Sequence, residues 1–205
     1  MFKTIVNAFK MPDLRKKMLF VLMILLVYRL GAVIPVPFVN SDTLAETFNS
    51  ASGSIFQYLN IMSGEAFSRA TLFALSVQPY ITASIVMQLL TIAIPALERL
   101  QSQGEEGRKK ITTITRYVTV GLGLITSYGY YAYIKSTGAL ISMTSQGQKV
   151  LAALVIIACY SAGSALVMWM AEKINEFGIG NGISLILFAN ILSSTPRIVS
   201  MLYSF

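Results

Sequence analysis

The chain has 205 residues, of which 55% are hydrophobic and only 12% are charged. This composition indicates a polytopic membrane protein, so we do not read the net charge of +7 as a sign of nucleic-acid binding. The sequence has no histidine and a single cysteine, Cys159, which excludes a histidine proton relay, a zinc ligand set and a disulfide within this chain.

The amino-terminal segment, residues 1–17, is basic and precedes the first apolar run. The spacing of its apolar side chains predicts a short amphipathic helix at the membrane surface: Phe2, Ile5, Val6 and Phe9. The next segment, residues 18–34, contains Arg29 within a predicted membrane span. Because a charge near the centre of a span costs about 2.5–3.5 kcal/mol, we expect Arg29 to face protein or to reach an interface. A fixed bond between helices is the role we expect for it.

Five apolar runs predict an all-α protein with five transmembrane helices. The predicted spans are residues 18–34, 70–97, 112–134, 149–171 and 180–205. The predicted connections are residues 35–69 and 135–148 outside, and residues 98–111 and 172–179 inside. Five spans place the two chain ends on opposite sides of the membrane. Most lysines and arginines share the side of the amino terminus, which predicts a cytoplasmic amino terminus.

A short apolar helix is predicted at about residues 54–64, just before the second span. It is too short to cross a bilayer, which takes about 20 helical residues, so we expect it to dip into the membrane from outside. Such re-entrant elements persist only where protein or a water-filled cavity surrounds them. The sequence therefore predicts that the chain encloses a cavity or pore.

Two spans carry matching stripes at helical spacing, each reading aliphatic, aliphatic, polar, polar. The stripes are Val77, Ile81, Ser84 and Gln88 in the second span, and Ile183, Leu187, Asn190 and Ser194 in the fifth. They are typical of a water-lined path with a hydrophobic constriction that closes by dewetting. The alternative is packing between helices, with Ser and Gln bonded across an interface. Pro79 predicts a kink in the second span.

Small residues predict close helix packing in the fourth span, where residues 161–165 read SAGSA. An odd number of spans also suggests one half of an inverted repeat, whose partner half we expect to follow in the gene.

Four segments, in order and across essentially the whole chain, resemble the SecY family, whose members are the central subunits of bacterial Sec protein-conducting channels. The segments are YRLGAVIPVP (28–37), NIMSGEAFSRATLFALSVQPYITASIVMQLL (60–90), QGEEGRKKITTITRY (103–117) and MWMAEKINEFGIGNGISLILFANI (168–191). The family protein has ten spans in two inverted halves, and this chain resembles the first half.

The resemblance implies a role for each element. Four of six pore-ring positions fall on Val77, Ile81, Ile183 and Leu187. The plug, which seals the channel from outside, falls on Ile55, Phe56, Tyr58, Leu59, Ile61 and Met62. The lateral gate and pore lining fall on Ser84, Gln88 and Asn190. The resemblance implies no enzyme activity, no cofactor and no metal.

The resemblance also implies a location and partners. The location is the bacterial cytoplasmic membrane, with several spans. The partners are the SecE and SecG subunits, the SecA motor or the ribosome, signal sequences and nascent polypeptides, membrane lipid, and the carboxyl-terminal half of the same protein. Three positions depart from the family pattern. Family members usually have glycine at the positions of Glu65 and Asn190, and an apolar residue at that of Gln78.

Two other function classes fit the residues less well. A small-solute transporter built from an inverted repeat would need intramembrane carboxylates, whereas all nine acidic residues fall in termini and loops by the predicted span limits. An intramembrane enzyme would need catalytic groups that a chain without histidine and without a buried carboxylate does not offer.

Overall fold

The computed structural model describes the backbone of residues 11–50, 55–141 and 145–203, and their side chains except those of 49–50, 55–58 and 196–203. The surface helix predicted at Phe2, Ile5, Val6 and Phe9 lies outside the described residues. In the described part of the chain the secondary structure is helical, with two isolated β-bridges, Pro35 to Thr71 and Val39 to Leu140. The predicted all-α class is confirmed for these residues.

Eight helices follow one another in the described ranges. They are α1 (Pro12–Gly31), α2 (Ser41–Ser50), α3 (Ile55–Ser63), α4 (Gln78–Ala93), α5 (Pro95–Ser102), α6 (Glu105–Ser136), α7 (Gln146–Phe177) and α8 (Gly182–Tyr203). The short helix predicted at about 54–64 corresponds to α3. Helix α2 falls within the external segment, where the sequence predicts no helix.

The second predicted span, residues 70–97, is not one helix. Residues 64–77, called here the turn segment, are a series of turns in which Ala70 and Ser76 have φ of 49° and 48°. A right-handed helix cannot pass through such left-handed residues. The kink predicted at Pro79 is wrong, because Pro79 lies in the first turn of α4, where a missing backbone N–H costs no hydrogen bond. The sharp bend comes instead at Pro95, where α4 and α5 meet at 99°.

Helices α6 and α7 are longer than the predicted third and fourth spans. Glu105 and Glu106 lie in the first turn of α6, where carboxylates interact favourably with the helix dipole. Helix α6 therefore begins within the predicted loop at residues 98–111. Helix α7 continues through Glu172 to Phe177 and ends at Gly178. Glu172 was expected in a loop; it lies in α7, where its Oε1 accepts a hydrogen bond of 2.8 Å from Arg116 Nε in α6.

Within the described residues, length and composition qualify one helix, α7, to cross a membrane, or two if α4 and α5 are counted as one bent span. Helix α8 offers a shorter apolar stretch, Gly182–Thr195. The predicted number of five spans is therefore not confirmed. Charges in the first turns of α1 and the tyrosines, threonines and glycines of α6 reduce the apolar character of those two helices.

Helix α7 lies at the centre of the packing, against α1, α4, α6 and α8, while α3 packs on α8. Two groups of buried side chains form the core. The tyrosine cluster is Val36, Val39, Leu44, Phe48, Phe67, Ala70, Ala74, Tyr130, Ile134, Ala139, Ile156 and Tyr160. The aliphatic cluster is Ile24, Tyr28, Ala32, Phe73, Val77, Val167, Met170, Ala171, Ile174 and Ile186, with Ile81, Ile183 and Leu187 among the half-buried side chains packed on it.

Candidate functional site

Of the four predicted ring residues, Val77 is a buried member of the aliphatic cluster, and Ile81, Ile183 and Leu187 are half-buried side chains packed against it. Val77 directly precedes α4 and exposes only 2% of its surface, and Ile81 lies one turn further along that helix. Ile183 and Leu187 lie one turn apart at the start of α8. The four side chains carry no charge and no hydrogen-bonding group. Their meeting in one cluster is compatible with the predicted ring, whose role stays a prediction.

A cavity of about 330 Å³ lies beside two of the ring residues. Val77 and Leu187 line it, together with Leu59 and Met62 of α3. The rest of its wall includes Phe67, Ala74, Leu75, Pro79, Tyr130 and Tyr133. None of the described residues that line this cavity is charged. The cavity can therefore hold apolar groups, and its described lining offers an ion no charged side chain.

Helix α3, the predicted plug, is fixed on the side of α8. Three of its predicted plug residues are half-buried: Leu59, Ile61 and Met62. The other three have side chains outside the described part of the chain: Ile55, Phe56 and Tyr58. The assignment of α3 as a plug stays a prediction, but its position next to the ring residues is the one that a plug needs.

The turn after α3 contains one departure from the family pattern, Glu65. Gly64 and Glu65 have φ of 65° and 68°, which glycine adopts without strain and other residues rarely adopt. Glu65 therefore occupies a backbone conformation that suits the glycine usual at this position. Its carboxylate pairs with Arg69 at 3.0 Å. A Cβ added at Gly64 would lie 3.3 Å from the backbone of Asn190, so the turn approaches α8 closely.

Asn190, predicted to line the pore or gate, is fully buried between α3 and the turn segment. Its Nδ2 donates to the backbone carbonyl of Met62 at 3.0 Å and to Ser76 Oγ at 3.1 Å. Ser76 Oγ in turn lies 3.3 Å from the hydroxyl of Tyr28 in α1. The amide thus joins the end of α3 to α8, rather than facing an open passage.

Arg29 bonds across helices as expected. Its guanidinium, half-buried near the end of α1, donates to the backbone carbonyl of Ala189 in α8. The prediction that Arg29 faces protein and forms a fixed bond between helices is confirmed. Arg29 and Asn190 together give the middle of α8 two polar attachments to its surroundings.

The polar half of the first stripe lies in a cleft between α4 and α6. Gln88 Nε2 donates to Ser84 Oγ at 3.3 Å, one turn away on the same helix, and Gln88 is exposed. The cleft measures about 190 Å³, and its other residues are Tyr80, Met87, Thr91, Gln101, Ile111, Thr112 and Thr115. The alternative in which Ser84 and Gln88 bond across a helix interface is not what the structure shows for this pair. Gln78, the third departure, begins α4 and is exposed.

Sequence reasoning missed Ser76 and Tyr28, and no signal in the sequence could have found them. Ser76 belongs to neither stripe, and its partners Tyr28 and Asn190 lie far away along the chain. It also missed the pairing of Arg116 with Glu172, because Glu172 was assigned to a loop. Such contacts follow from how helices cross, which periodicity within one helix does not specify.

Comparison with known proteins decides the family. The model of the SecY family matches residues 71–205. The chain belongs to the SecY family. Protein translocase subunit SecY of Streptomyces coelicolor is 43% identical over 203 residues, covering 96% of this chain and 46% of that protein. The corresponding subunits of Thermus thermophilus and Bacillus subtilis are 42% and 40% identical, over 94% and 99% of this chain. The chain spans about half the length of the curated SecY relatives it matches.

Solved structures of Sec channels have the same fold. Sec61 in the canine ribosome–channel complex from the endoplasmic reticulum superposes with a TM-score of 0.61 at 21% identity, over 87% of this chain and 36% of that one. A structure described as a protein-conducting channel matches with the same values. A third, a SecY whose plug domain is described as stabilising the closed state, gives a TM-score of 0.53 over 84% of this chain. The relatives are named as translocase subunits and channels, which confirms the prediction that this SecY chain is not an enzyme.

Proposed function

We propose that this chain forms the amino-terminal half of a protein-conducting channel subunit in the bacterial cytoplasmic membrane. In this role it passes unfolded secretory polypeptides across the membrane and lets hydrophobic segments leave sideways into lipid. The observation that carries the proposal is the packing of four aliphatic ring residues in or against one cluster, where Val77 and Leu187 line an uncharged cavity that α3 also lines, in a chain of the SecY family.

The chemistry of the ring suits a moving polypeptide. Val77, Ile81, Ile183 and Leu187 can pack around an extended chain without holding it, because they offer it neither charge nor hydrogen bond. When no polypeptide is present, facing aliphatic side chains expel water and close the path to ions. Helix α3 acts as the plug that completes this seal from outside.

The proposed topology has five spans with a cytoplasmic amino terminus. The spans are α1, α4 with the turn segment, α6, α7 and α8. Irregular backbone such as the turn segment is tolerated at membrane depth where protein encloses it, and most of this segment is buried. The bent α5 and the basic start of α6 then face the cytoplasm, as the positive-inside rule requires.

The proposed lateral gate uses α4, with α6 behind it. Ser84 and Gln88 lie in the polar cleft between these helices, where they would meet a segment on its way to lipid. The second half of the protein supplies the facing side of the gate. A signal sequence opens the gate only if it binds the open state better than the closed state.

The proposed partners are those of a Sec channel. They are the SecE and SecG subunits, the SecA motor or a ribosome, and the carboxyl-terminal half of the protein. The proposed passage has no active site of its own, so the energy for polypeptide movement comes from the motor or from translation. A solute transporter is less well supported, because the cavity beside the ring has no charged side chain among its described residues.

A site-specific photocrosslink tests the channel proposal. A photoreactive residue at Ile81 or at Val86 is placed in the complete channel, and a secretory polypeptide is stalled midway. Ile81 packs on the aliphatic cluster, whereas Val86 is 39% exposed on α4. We expect a strong crosslink to the polypeptide from Ile81 and none from Val86. Equal signals, or no signal from either position, would remove the ring assignment for α4.

A further inference from the structure

A line of hydrogen bonds joins four separate elements next to the ring. It runs from Tyr28 in α1 to Ser76 in the turn segment, then to Asn190 in α8, and ends on the backbone carbonyl of Met62 in α3. We call this line the Asn190 bridge. Of the three side chains in the bridge, only that of Asn190 was expected to have a function, and that function was pore or gate lining.

The Met62 carbonyl is the point where the bridge holds α3. The last four carbonyls of a helix have no partner within the helix, and Met62 lies in the last turn of α3. The turn that follows uses the carbonyls of Asn60 and Ile61, which accept from the backbone N–H groups of Glu65 and Gly64. Asn190 supplies the donor for Met62. The amide therefore caps α3 from another helix.

Asn190 carries a cost that an apolar side chain would avoid. Both hydrogens of its Nδ2 are used, but its Oδ1 is buried without a partner among the described residues. A buried acceptor without a hydrogen bond lowers stability. An amide at this position is therefore explained by its two donated bonds and not by packing.

Ser76 carries a second cost in the same place. Its φ of 48° is a left-handed conformation that favours glycine. Its hydroxyl is buried and lies within hydrogen-bond distance of both Asn190 and Tyr28. Asn190 with its unpaired Oδ1 and Ser76 with its left-handed backbone are both locally unfavourable, and both belong to the Asn190 bridge. Two such costs at one hydrogen-bonded site point to a role for the bridge.

We propose that Asn190, supported by Ser76, is a positioning residue that fastens the carboxyl-terminal end of α3 to α8 and so sets how readily the plug leaves the ring. The inference deepens the proposed channel function and rests on it. When α3 moves away, the hydrogen bond between the Asn190 amide and the Met62 carbonyl breaks, and water must enter to hydrogen-bond to both groups. Leaving the sealed state is therefore coupled to wetting of the cavity.

The first test measures the ion conductance of the complete channel in planar bilayers without any polypeptide. Asn190→Ala removes both donated bonds. Ser193→Ala is the matched control, because Ser193 lies three residues further along the same helix and its side chain is exposed. Losing one hydrogen bond to the closed state should raise resting conductance about fivefold in Asn190→Ala. Ser193→Ala should match the unchanged channel. Equal conductance in all three would overturn the proposal.

A double variant tests whether the bridge acts as a unit. Ser76→Ala removes the hydroxyl and keeps the Cβ, and it should raise resting conductance by a smaller factor than Asn190→Ala. The Asn190→Ala and Ser76→Ala changes together should raise it less than the product of the two separate factors, because they remove one shared bond. Fully multiplicative factors would show two independent packing effects and would contradict the bridge.

A third variant separates loosening of α3 from loss of the fold. Asn190→Leu keeps the branched shape and removes the unpaired Oδ1, which offsets part of the cost of leaving the Met62 carbonyl without its donor, so the purified channel should melt close to the original protein. Its resting conductance should still rise, because no donor remains for Met62. A conductance that stays at the original level in a well-folded Asn190→Leu channel would reject the positioning role.

The same recordings distinguish this proposal from the channel proposal. A stalled secretory polypeptide should raise the conductance of the original channel whether or not Asn190 positions α3. If it does not, the channel function fails. If the stalled polypeptide raises the conductance but the Asn190 variants have the same resting conductance as the original channel, then only the proposal of the Asn190 bridge fails.

Discussion

The tyrosine cluster and the aliphatic cluster are built from different side chains for different tasks. In the tyrosine cluster, rings pack in sequence, with centroids 4.4 Å apart for Phe67 and Tyr130 and 4.9 Å apart for Tyr130 and Tyr160. The ring residues of the aliphatic cluster are branched aliphatic side chains, and three of the four are only half-buried. The tyrosine cluster is closed, whereas the part of the aliphatic cluster that holds the ring residues is partly open and offers only aliphatic side chains.

Hydrogen bonds from the tyrosines tie the tyrosine cluster to the turn segment. The hydroxyl of Tyr130 donates to the carbonyl of Phe67, and that of Tyr160 donates to the carbonyl of Ala70 at 3.4 Å. Such bonds need fixed geometry, whereas aliphatic packing tolerates rearrangement. The tyrosine cluster therefore holds the irregular backbone in place up to Val77, which belongs to the proposed ring.

The largest expected effect is at Tyr160. Tyr160→Ala should lower the free energy of unfolding by about 3–5 kcal/mol, because it removes a fully buried aromatic side chain and leaves a cavity. Thermal unfolding of the purified channel in detergent measures the change. Tyr160→Phe, the matched control, keeps the ring and should lose about 1 kcal/mol or less. A loss in Tyr160→Ala no larger than in Tyr160→Phe would contradict the rigid role given to this cluster.

The next effect concerns how closely α7 approaches the turn segment. A Cβ added at Gly163 would lie 2.0 Å from the carbonyl oxygen of Leu72, which is backbone and cannot turn aside. Gly163→Ala should therefore lower the unfolding free energy by about 1–3 kcal/mol.

Gly121 offers the matched control for this change. It lies within α6, and a Cβ added there would have nothing within 4 Å. Gly121→Ala should therefore raise the free energy of unfolding by about 0.5–1 kcal/mol through helix propensity. Opposite signs for the two substitutions in the same thermal unfolding experiment are the expected result. If both substitutions stabilise the protein, α7 does not meet the turn segment as closely as the structure shows.

Small residues made this part of the packing predictable. The run at residues 161–165 predicted close helix approach, and Ser164 against Gly123 of α6 is such an approach, whereas Gly163 approaches the backbone of Leu72 in the turn segment. The helical class, α3 and the shared location of the four ring residues also followed from apolar spacing, because burial within one helix repeats every three to four residues.

Backbone breaks and contacts between distant segments could not be predicted in this way. The apolar run from residue 70 resembles a continuous helix, and only the left-handed Ala70 and Ser76 show that it is not one. Those conformations are fixed by tertiary contacts, such as the bond from Tyr160 to the Ala70 carbonyl, and not by local propensity. For the same reason the stripe placed Asn190 on the correct helix but could not specify its bonds to Met62 and Ser76.

The smallest effect on stability, and the sharpest contrast between the two clusters, is expected at Leu187. This side chain is half-buried and lines the cavity beside α3, so Leu187→Ala should cost only about 1 kcal/mol of unfolding free energy. Its effect on sealing should be larger, because shortening a ring side chain widens the aliphatic constriction and admits water. We expect raised ion conductance at rest in planar bilayers with a nearly unchanged melting temperature.

Phe188, the next residue on α8, is the control for position on the helix. It is 61% exposed, so Phe188→Ala should change neither the melting temperature nor the resting conductance. On the proposed function, we expect a ring residue to affect sealing more than stability, whereas Tyr160 should affect sealing only through loss of the fold. If Leu187→Ala lowers stability as much as Tyr160→Ala and leaves conductance unchanged, then the aliphatic cluster is an ordinary core and the distinction between the two clusters does not hold.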